Sequence, residues 1–398
     1  MMAPARPSQR RSHGPLTLAA ASTVLALGLT GCSLDLSHLA PGGLGSSPSP
    51  TPVAAGPVAK DAMATLAEAP AVAVQGQTAD SGGQPRETTL TVADSGAASG
   101  TVDVEGSEVK VIEIDQQLYV SGDDAFWLGQ SAFNPDSDSY ADNWVRVKPD
   151  VLGIDPQAVL APAQLAEIIT GMIPEKGKAV EEKLDGKAVY RIDLGKKNKI
   201  WVTKEKPHTL LRMEIEELAP VEGGDLTTRT QMNVSTPAAA DIEKMYDDIA
   251  STVKDDLGSS RDSRIEVTWD GQLDMKCQTG GKCSVTGKVK DNGVAADGED
   301  KIQVRMDAKF TNSSLGDKKC DDSGTLEVGG TTSLSCSVDY ALAASTNPQS
   351  YQINGEGLLS TRGVSGKGKD ALAKKVKEQR KTTLEKAGGA PASPSEGN

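Results

Sequence analysis

Apolar and polar positions alternate along much of residues 58–257, which is the pattern of half-buried β-strands. In ETTLTVADSGAASGTVDVEG the alternation stops at a turn of serine and glycine and then resumes, and further runs occur in SEVKVIEIDQQLYVSG, NWVRV and GKAVYRIDLG. Three segments, 58–70, 162–173 and 240–257, have helical spacing instead. Consecutive strands with few helices predict an α+β domain over 58–257, in which the helices lie on one side of an antiparallel sheet.

Residues 262–365 alternate in the same way but contain no helical period. KIQVRMDAKF and SLSCSVDY are clear examples, and turns rich in glycine, asparagine and aspartate separate the runs. Strands are predicted at about 264–269, 285–290, 302–310, 324–328, 332–340 and 350–356. Six or seven short strands in about 100 residues predict an all-β, immunoglobulin-like sandwich.

The first 32 residues have a different pattern, with three arginines followed by a short apolar stretch that ends in Leu29-Thr30-Gly31-Cys32. The stretch is too short to span a bilayer comfortably, and the order of features predicts a secretory signal peptide over 1–31. The last four residues resemble the lipobox of bacterial lipoproteins, in which the cysteine is acylated and begins the mature chain. We therefore expect an extracytoplasmic protein, anchored to the outer face of the cell membrane by acyl chains on Cys32.

Two segments are predicted to lie outside the folded domains. Residues 32–57 are rich in glycine, serine and proline, cannot bury enough apolar surface to fold, and are expected to form a disordered tether. Residues 366–398 form a tail whose first part contains eight basic and three acidic residues and only a thin apolar stripe. A solvated or frayed helix with a disordered end is expected there, and contact with an anionic wall polymer or lipid headgroups is the alternative.

The composition of the chain excludes several classes of function. The chain has 42 basic and 55 acidic residues, a net charge of −13, so no nucleic-acid partner is expected. Of its three histidines only His208 lies in a foldable region. The acidic segment NPDSDSYADNW resembles a calcium loop in its spacing, but a loop that begins at Asn134 would need glycine and glutamate where the chain has Ser139 and Val145. Nucleophile elbows, phosphate-binding glycine loops and metal-ligand clusters are all missing from the sequence. We expect no enzyme activity, no cofactor and no metal site.

Five cysteines are present, and the four that follow Cys32 all lie in the predicted sandwich: Cys277, Cys283, Cys320 and Cys336. An even set outside the cytoplasm is typical of disulfides, and four cysteines allow three pairings. We favour Cys277–Cys283 with Cys320–Cys336, because each bond then joins neighbouring segments. A four-cysteine zinc site is the rival, but neither pair has the C-x2-C spacing of a zinc ribbon.

The order of elements in the first domain resembles the actinobacterial lipoproteins of the LppX/LprG type, which are related in shape to the lipoprotein carrier LolA. The resemblance rests on a helix, two hairpins ending in QLYVSGDDAFW, then NWVRV, an amphipathic helix, DGKAVYRIDLG and KIWVTKEKPHTLLRMEI. It implies a curved antiparallel half-barrel with helices on its open face, which holds lipid acyl chains. The residues expected to line such a cavity are Val111, Ile114, Leu118, Val120, Trp127, Leu165, Ile168, Ile169, Met172, Tyr190 and Ile192.

Two hypotheses follow. In the first, the half-barrel binds or transfers a lipid, a glycolipid or another apolar ligand, and the sandwich contacts an envelope protein or an anionic wall polymer. In the second, the chain is a non-catalytic envelope scaffold or adhesion protein, and its own side chains fill the half-barrel. A continuous apolar cavity between the sheet and the helix at 162–173 would distinguish the first from the second.

Overall fold

The computed structural model describes residues 53–79, 83–132, 136–222, 224–292, 301–344, 346–347 and 349–388. The predicted signal peptide, Cys32, most of the predicted tether and the last ten residues lie outside these ranges. The described chain combines large, mainly antiparallel sheets with few helices, which confirms the predicted α+β class. The predicted domain limits stay a prediction.

The larger sheet contains thirteen strands among the described residues, and neighbouring strands are antiparallel except for one parallel pair at its end. The strands are β1 (Val53–Ala54), β2 (Ala71–Ala79), β3 (Pro85–Ala93), β4 (Ala98–Val104), β5 (Ser107–Ile114), β6 (Gln117–Ser121), β7 (Val145–Arg146), β8 (Lys178–Leu184), β9 (Lys187–Gly195), β10 (Asn198–Thr203), β11 (Leu210–Leu218), β12 (Thr228–Ser235) and β13 (Arg261–Asp262). Their order across the sheet is β1-β8-β9-β10-β11-β12-β2-β3-β4-β5-β6-β7-β13, so two meanders meet where β12 pairs with β2.

The helices of the described chain are α1 (Ala55–Ala67), α2 (Asp124–Gly129), α3 (Asp136–Tyr140), α4 (Pro156–Leu160), α5 (Pro162–Met172), α6 (Ala239–Asp255) and α7 (Gly366–Lys386). Three of them begin at a side-chain cap: Asp123 accepts from Phe126 N at the start of α2, Asp155 caps α4, and Ser365 caps α7. No helix among the described residues is both long and apolar enough to cross a membrane.

The start of the folded part differs from the prediction. The tether was expected to run to residue 57 and the first helix to begin at 58, but β1 pairs with β8 and α1 starts at Ala55. Pro57 is compatible with this earlier start because it lies in the first helical turn, where backbone N–H groups have no intrahelical acceptor.

Helices cover both faces of the larger sheet, whereas the sequence predicted them on one face. Helices α1, α4 and α5 pack on one face of the sheet, and we call this face the helix-covered face. Helices α6 and α7 pack on the opposite face. Strand β5 shows the cause. Val111 points to the helix-covered face, and Ile112 and Ile114 point to the other, so both faces need apolar cover.

The predicted solvated tail helix is wrong over its first part, because α7 packs against α6 and the opposite face of the sheet. Its stripe of Leu372, Val376 and Leu384 is buried together with residues of α6. Polar contacts add to this packing: Arg380 pairs with Glu243 at 2.7 Å and Asp247 at 3.0 Å. The basic residues of α7 had suggested a solvated helix. In the structure, Arg380 instead forms ion pairs with acidic residues of α6.

Between 267 and 361 the described residues form seven strands in two smaller sheets. They are β14 (Val267–Trp269), β15 (Asp274–Cys277), β16 (Lys282–Asp291), β17 (Lys301–Thr311), β18 (Lys318–Glu327), β19 (Thr331–Asp339) and β20 (Asn354–Thr361). One sheet pairs β16 with β14, β15 and β19, and the other has the order β18-β17-β20. Their inward side chains form a single apolar core. Strand β15 was missed in the sequence because all four of its residues are exposed, so it has no apolar alternation.

Truncating one contact of α7 tests its role in stability. We expect Leu372→Ala to lower the free energy of unfolding by about 2 kcal/mol or more, because Leu372 is buried against α6. Chemical denaturation followed by circular dichroism measures this change. Leu358→Ala is the matched control, since Leu358 is 38% exposed and its loss leaves no cavity. Equal effects of the two substitutions would contradict the packing of α7.

Candidate functional site

The helix-covered face contains most of the residues predicted to line a ligand cavity. Helices α1 and α5 lie against each other above it, and α1 also contacts β8 and β11. The predicted residues that belong to its buried apolar cluster are Val111, Leu118, Val120, Trp127, Leu165, Ile168, Ile169 and Ile192. Met172 and Tyr190 pack at the margin of the cluster and are partly buried.

Ile114 is the exception among the predicted cavity residues. It lies on the opposite face with Ile112 and Tyr119, under α6 and α7. The prediction treated the apolar residues of β5 as one set, but successive side chains of a strand point to opposite faces. Ile114 therefore cannot share a cavity with Val111.

The layer between the sheet and α5 is filled by protein side chains. Val120, Leu165, Ile169 and Ile192 are each 0% exposed. A cavity large enough for water would leave accessible surface on the side chains that line it, so these four have no such space beside them. In this conformation these four predicted cavity residues belong to a packed core.

A pocket of about 460 Å³ opens at one edge of this layer, beside the start of α1. Its apolar wall consists of residues 53, 54, 57 and 58 together with Tyr190, and its polar wall of Lys204, Lys206 and His208. His208 is buried and held in place: its Nδ1 lies 2.8 Å from the carbonyl oxygen of Thr203, and its backbone N donates to Asp61. We call this the α1 pocket.

A second pocket, of about 530 Å³, lies where β5, the segment after β7 and the start of α4 meet. Eight of its twelve lining residues are polar or charged, and we call it the Glu113 pocket. It is lined by Glu113, Gln116, Leu118, Val147, Lys148, Pro149, Asp155, Gln157, Ala158, Gln164, Glu222 and Arg264. Leu118 is the single member of the predicted cavity set among these lining residues.

Glu113 has the most perturbed environment of this pocket. Its side chain is 3% exposed, and its carboxyl accepts a hydrogen bond of 2.9 Å from the backbone N of Gln157, in the first turn of α4. Burial raises the pKa of Glu113 to about 8, and the nearby charge of Asp155 acts in the same direction. Glu113 is therefore a neutral acid at pH 7, able to donate a hydrogen bond.

Asp155 holds the same helical turn. Its Oδ1 accepts from Ala158 N at 2.9 Å, and burial raises its pKa above the usual range. The two carboxyl groups thus bind successive N–H groups of α4, which have no intrahelical acceptors of their own. Their first effect is to fix α4 against the sheet. Among the described residues, no group of three or more His, Cys, Asp or Glu side chains could hold a metal ion.

Sequence reasoning did not single out Glu113, although the sequence contains a signal. Glu113 continues the alternation of Val109 and Val111 along β5, and a charged residue at such an inward position must find a partner or become neutral. The partner is far along the chain, in α4, and no local pattern indicates it.

The cysteines after Cys32 are bonded as Cys277–Cys283 and Cys320–Cys336, in agreement with the favoured pairing. The second bond joins β18 of one smaller sheet to β19 of the other, so it links the two layers. Two disulfides are typical of an oxidising, extracytoplasmic environment.

Comparison with known proteins adds no identification: no protein-family model matches the chain, and no curated protein matches it either.

The raised pKa of Glu113 predicts a pH-dependent stability. Between about pH 4.5 and 8 the folded chain keeps a proton on Glu113 that the unfolded chain releases. Stability should therefore fall as the pH rises through this range, by at most about 1.4 kcal/mol per pH unit from this group. Glu113→Gln should flatten the dependence and unfold no earlier than the wild type at pH 8, as measured by chemical denaturation at pH 5, 6.5 and 8.

Glu108→Gln is the matched control for this experiment, because Glu108 is an exposed glutamate on the same strand. It should leave the pH dependence unchanged. If Glu113→Gln has the same slope as the wild type, the buried neutral carboxyl is not present.

Proposed function

We propose that this chain is a non-catalytic protein of the cell envelope, anchored by acyl chains on Cys32 and serving as a scaffold or adhesion protein with a filled core. The observation that carries the proposal is the packed layer under α5, in which Leu165, Ile169 and Ile192 have no accessible surface. A carrier that keeps an open cavity for an acyl chain would expose part of such a wall. The location outside the cytoplasm is supported by the two disulfides and by the leader that precedes Cys32.

The proposal also includes the fold type of each of the two parts of the chain. We assign the larger sheet to a half-barrel of the LppX/LprG type and the two smaller sheets to an immunoglobulin-like sandwich. The uninterrupted antiparallel order from β1 to β7 supports the first assignment. The core shared by the two smaller sheets, with a disulfide between β18 and β19, supports the second.

Binding or transfer of a lipid or glycolipid is the second candidate function, and the α1 pocket favours it. This pocket combines apolar residues with Lys206 and with Lys204, which pairs with Glu181 at 2.7 Å, and an amphiphile with an anionic headgroup requires such a combination of apolar and basic groups. Its apolar wall includes Tyr190 at the margin of the buried cluster. An acyl chain could enter from there only if α1 and α5 moved away from the sheet, because the layer behind is filled.

Removal of Cys32 tests the anchor. In the native host, we expect the wild type to partition into the detergent phase on Triton X-114 extraction and Cys32→Ser to lose the acyl mass and leave that phase. Ser33→Ala is the matched control and should partition as the wild type does. A wild-type chain whose intact mass lacks acyl groups would contradict the anchor.

Native mass spectrometry separates the two candidate functions. The chain from Ser33 to Asn398, exported and purified from its own host, should carry no stoichiometric lipid because the layer under α5 is filled. Added phospholipid and glycolipid should not change its mass. A co-purifying lipid at a fixed ratio would overturn the filled-core scaffold and identify the ligand class of a carrier.

A further inference from the structure

Three arginines lie near one another at the end of β20, where the charges of Arg261 and Arg305 act on Arg362. Arg305 of β17 lies directly opposite Ser360 of β20, and Arg362 follows the end of β20, with its backbone N donating to Gln303 O at 2.8 Å. Arg261 reaches this point from β13, where its Nη1 donates to the hydroxyl of Ser360. We call Arg261, Arg305 and Arg362 the arginine cluster.

Carboxylates only partly neutralise this cluster. Arg305 pairs with Asp307 at 2.8 Å and with Asp321 at 2.9 Å. Within the described part of the chain, no carboxylate lies within ion-pair distance of Arg261 or Arg362. The cluster is therefore a local excess of positive charge in a chain whose net charge is −13.

Arg261 and Arg362 are partly buried, so their positive charges lose hydration that no ion pair with a carboxylate of the described residues replaces. The Nε of Arg261 is buried and has no hydrogen-bond acceptor. Burial lowers the pKa of Arg362 most, and the charges of Arg305 and Arg261 lower it further, whereas Asp307 and Asp321 act in the opposite direction. Burial also lowers the pKa of Arg261, where Asp307 opposes the effect of Arg305. An anion placed between the three guanidinium groups would relieve both the repulsion and the lost hydration.

We propose that the arginine cluster binds the phosphate groups of a phosphodiester-linked anionic polymer of the cell envelope. The proposal rests on the proposed envelope function and gives that scaffold a partner. Phosphate fits because its oxygens can accept from several guanidinium groups at once, and arginine forms the preferred planar fork for them.

Further basic residues lie beyond Arg305 along β17 and β18. A groove of about 400 Å³ runs from Arg305 past Lys309 and Lys319, and Lys309 is four residues, about 13 Å, from Arg305 along β17. A polymer with repeated phosphates can contact both positions. Asp307, Asp321 and Glu356 line the same groove, and Lys309 already pairs with Asp317 at 3.2 Å. A flexible polymer can place separate phosphates beside the basic side chains and away from these carboxylates, whereas a flat anionic membrane presents its charge to all of them at once.

Removal of one arginine charge tests the site. Arg362→Gln is the best variant, since the side chain makes only a 3.5 Å hydrogen bond, to Gly258 O, and the backbone N keeps its 2.8 Å bond to Gln303 O. The exported chain from Ser33 to Asn398 is titrated with poly(glycerol phosphate) at about 0.15 M salt. We expect Arg362→Gln to weaken binding at least about fivefold, and Arg362→Lys to weaken it less, because lysine keeps the charge but loses the fork.

Lys377→Gln is the matched control, because it removes one exposed positive charge from α7, which lies on the larger sheet. It should change the affinity less than about twofold, as expected for a screened surface charge. Unchanged thermal unfolding of each variant verifies the fold. Neutral dextran should not bind.

Three outcomes would overturn the proposal: no binding of the wild type to the polymer, equal weakening by Arg362→Gln and Lys377→Gln, or binding only to vesicles of phosphatidylglycerol and phosphatidylcholine. None of these affects detergent partitioning through Cys32 or the lipid content of the core. Failure of the polymer site is therefore distinguishable from failure of the proposed function.

Discussion

The structure depends on the need to bury both faces of the larger sheet. Strand β5 has apolar side chains on either side, and a sheet of this kind is stable only when both faces are covered. Helices α1, α4 and α5 cover one face, and α6 covers part of the other. The rest of the cover comes from α7, so the chain passes through the two smaller sheets and returns. The basic tail is in this way a structural part of the larger sheet.

The same constraint determines what the helix-covered face can do. Its apolar residues match those expected of a lipid-holding half-barrel, but in the described conformation Val120, Leu165, Ile169 and Ile192 are fully buried among other side chains. Among the described residues, pockets touch the predicted set at Leu118, Trp127 and Tyr190. The buried carboxyl groups of Glu113 and Asp155 lie at the end of this layer, where they accept hydrogen bonds from the first turn of α4. A buried acid that stays neutral at pH 7 avoids the cost of an unpaired charge and keeps a hydrogen bond to the helix. The packed layer and the docked helix are the observations behind the proposed scaffold, as opposed to a carrier with an open cavity.

In the proposed function, contact with the envelope is made by the protein's surfaces. The two smaller sheets are held together by the Cys320–Cys336 bond and by one apolar core, which leaves their outward faces available. At the junction with the larger sheet, Arg261 joins Arg305 and Arg362 around Ser360. A positive cluster in an acidic chain can select a partner by charge while the rest of the surface remains repulsive to other polyanions. In the proposed function, the anchor at Cys32, the packed body and the charged face together connect a membrane to the polymer around it.

The sequence by itself determined the α+β class, the alternating strands of both regions and the favoured disulfide pairing, because these follow from local periodicity and from short separations along the chain. It also indicated eight of the residues packed on the helix-covered face. Tertiary structure decided the rest. Ile114 could not be assigned to a face until the partners of β5 were known, and Glu113 could not be recognised as a neutral acid until α4 lay beside it. Likewise, the stripe of α7 is too thin to predict burial, and the three arginines come from β13, from β17 and from the residue after β20. Contacts between distant segments leave no local pattern in the sequence. Periodicity indicates that a side chain is buried, but it does not indicate which segment covers that side chain.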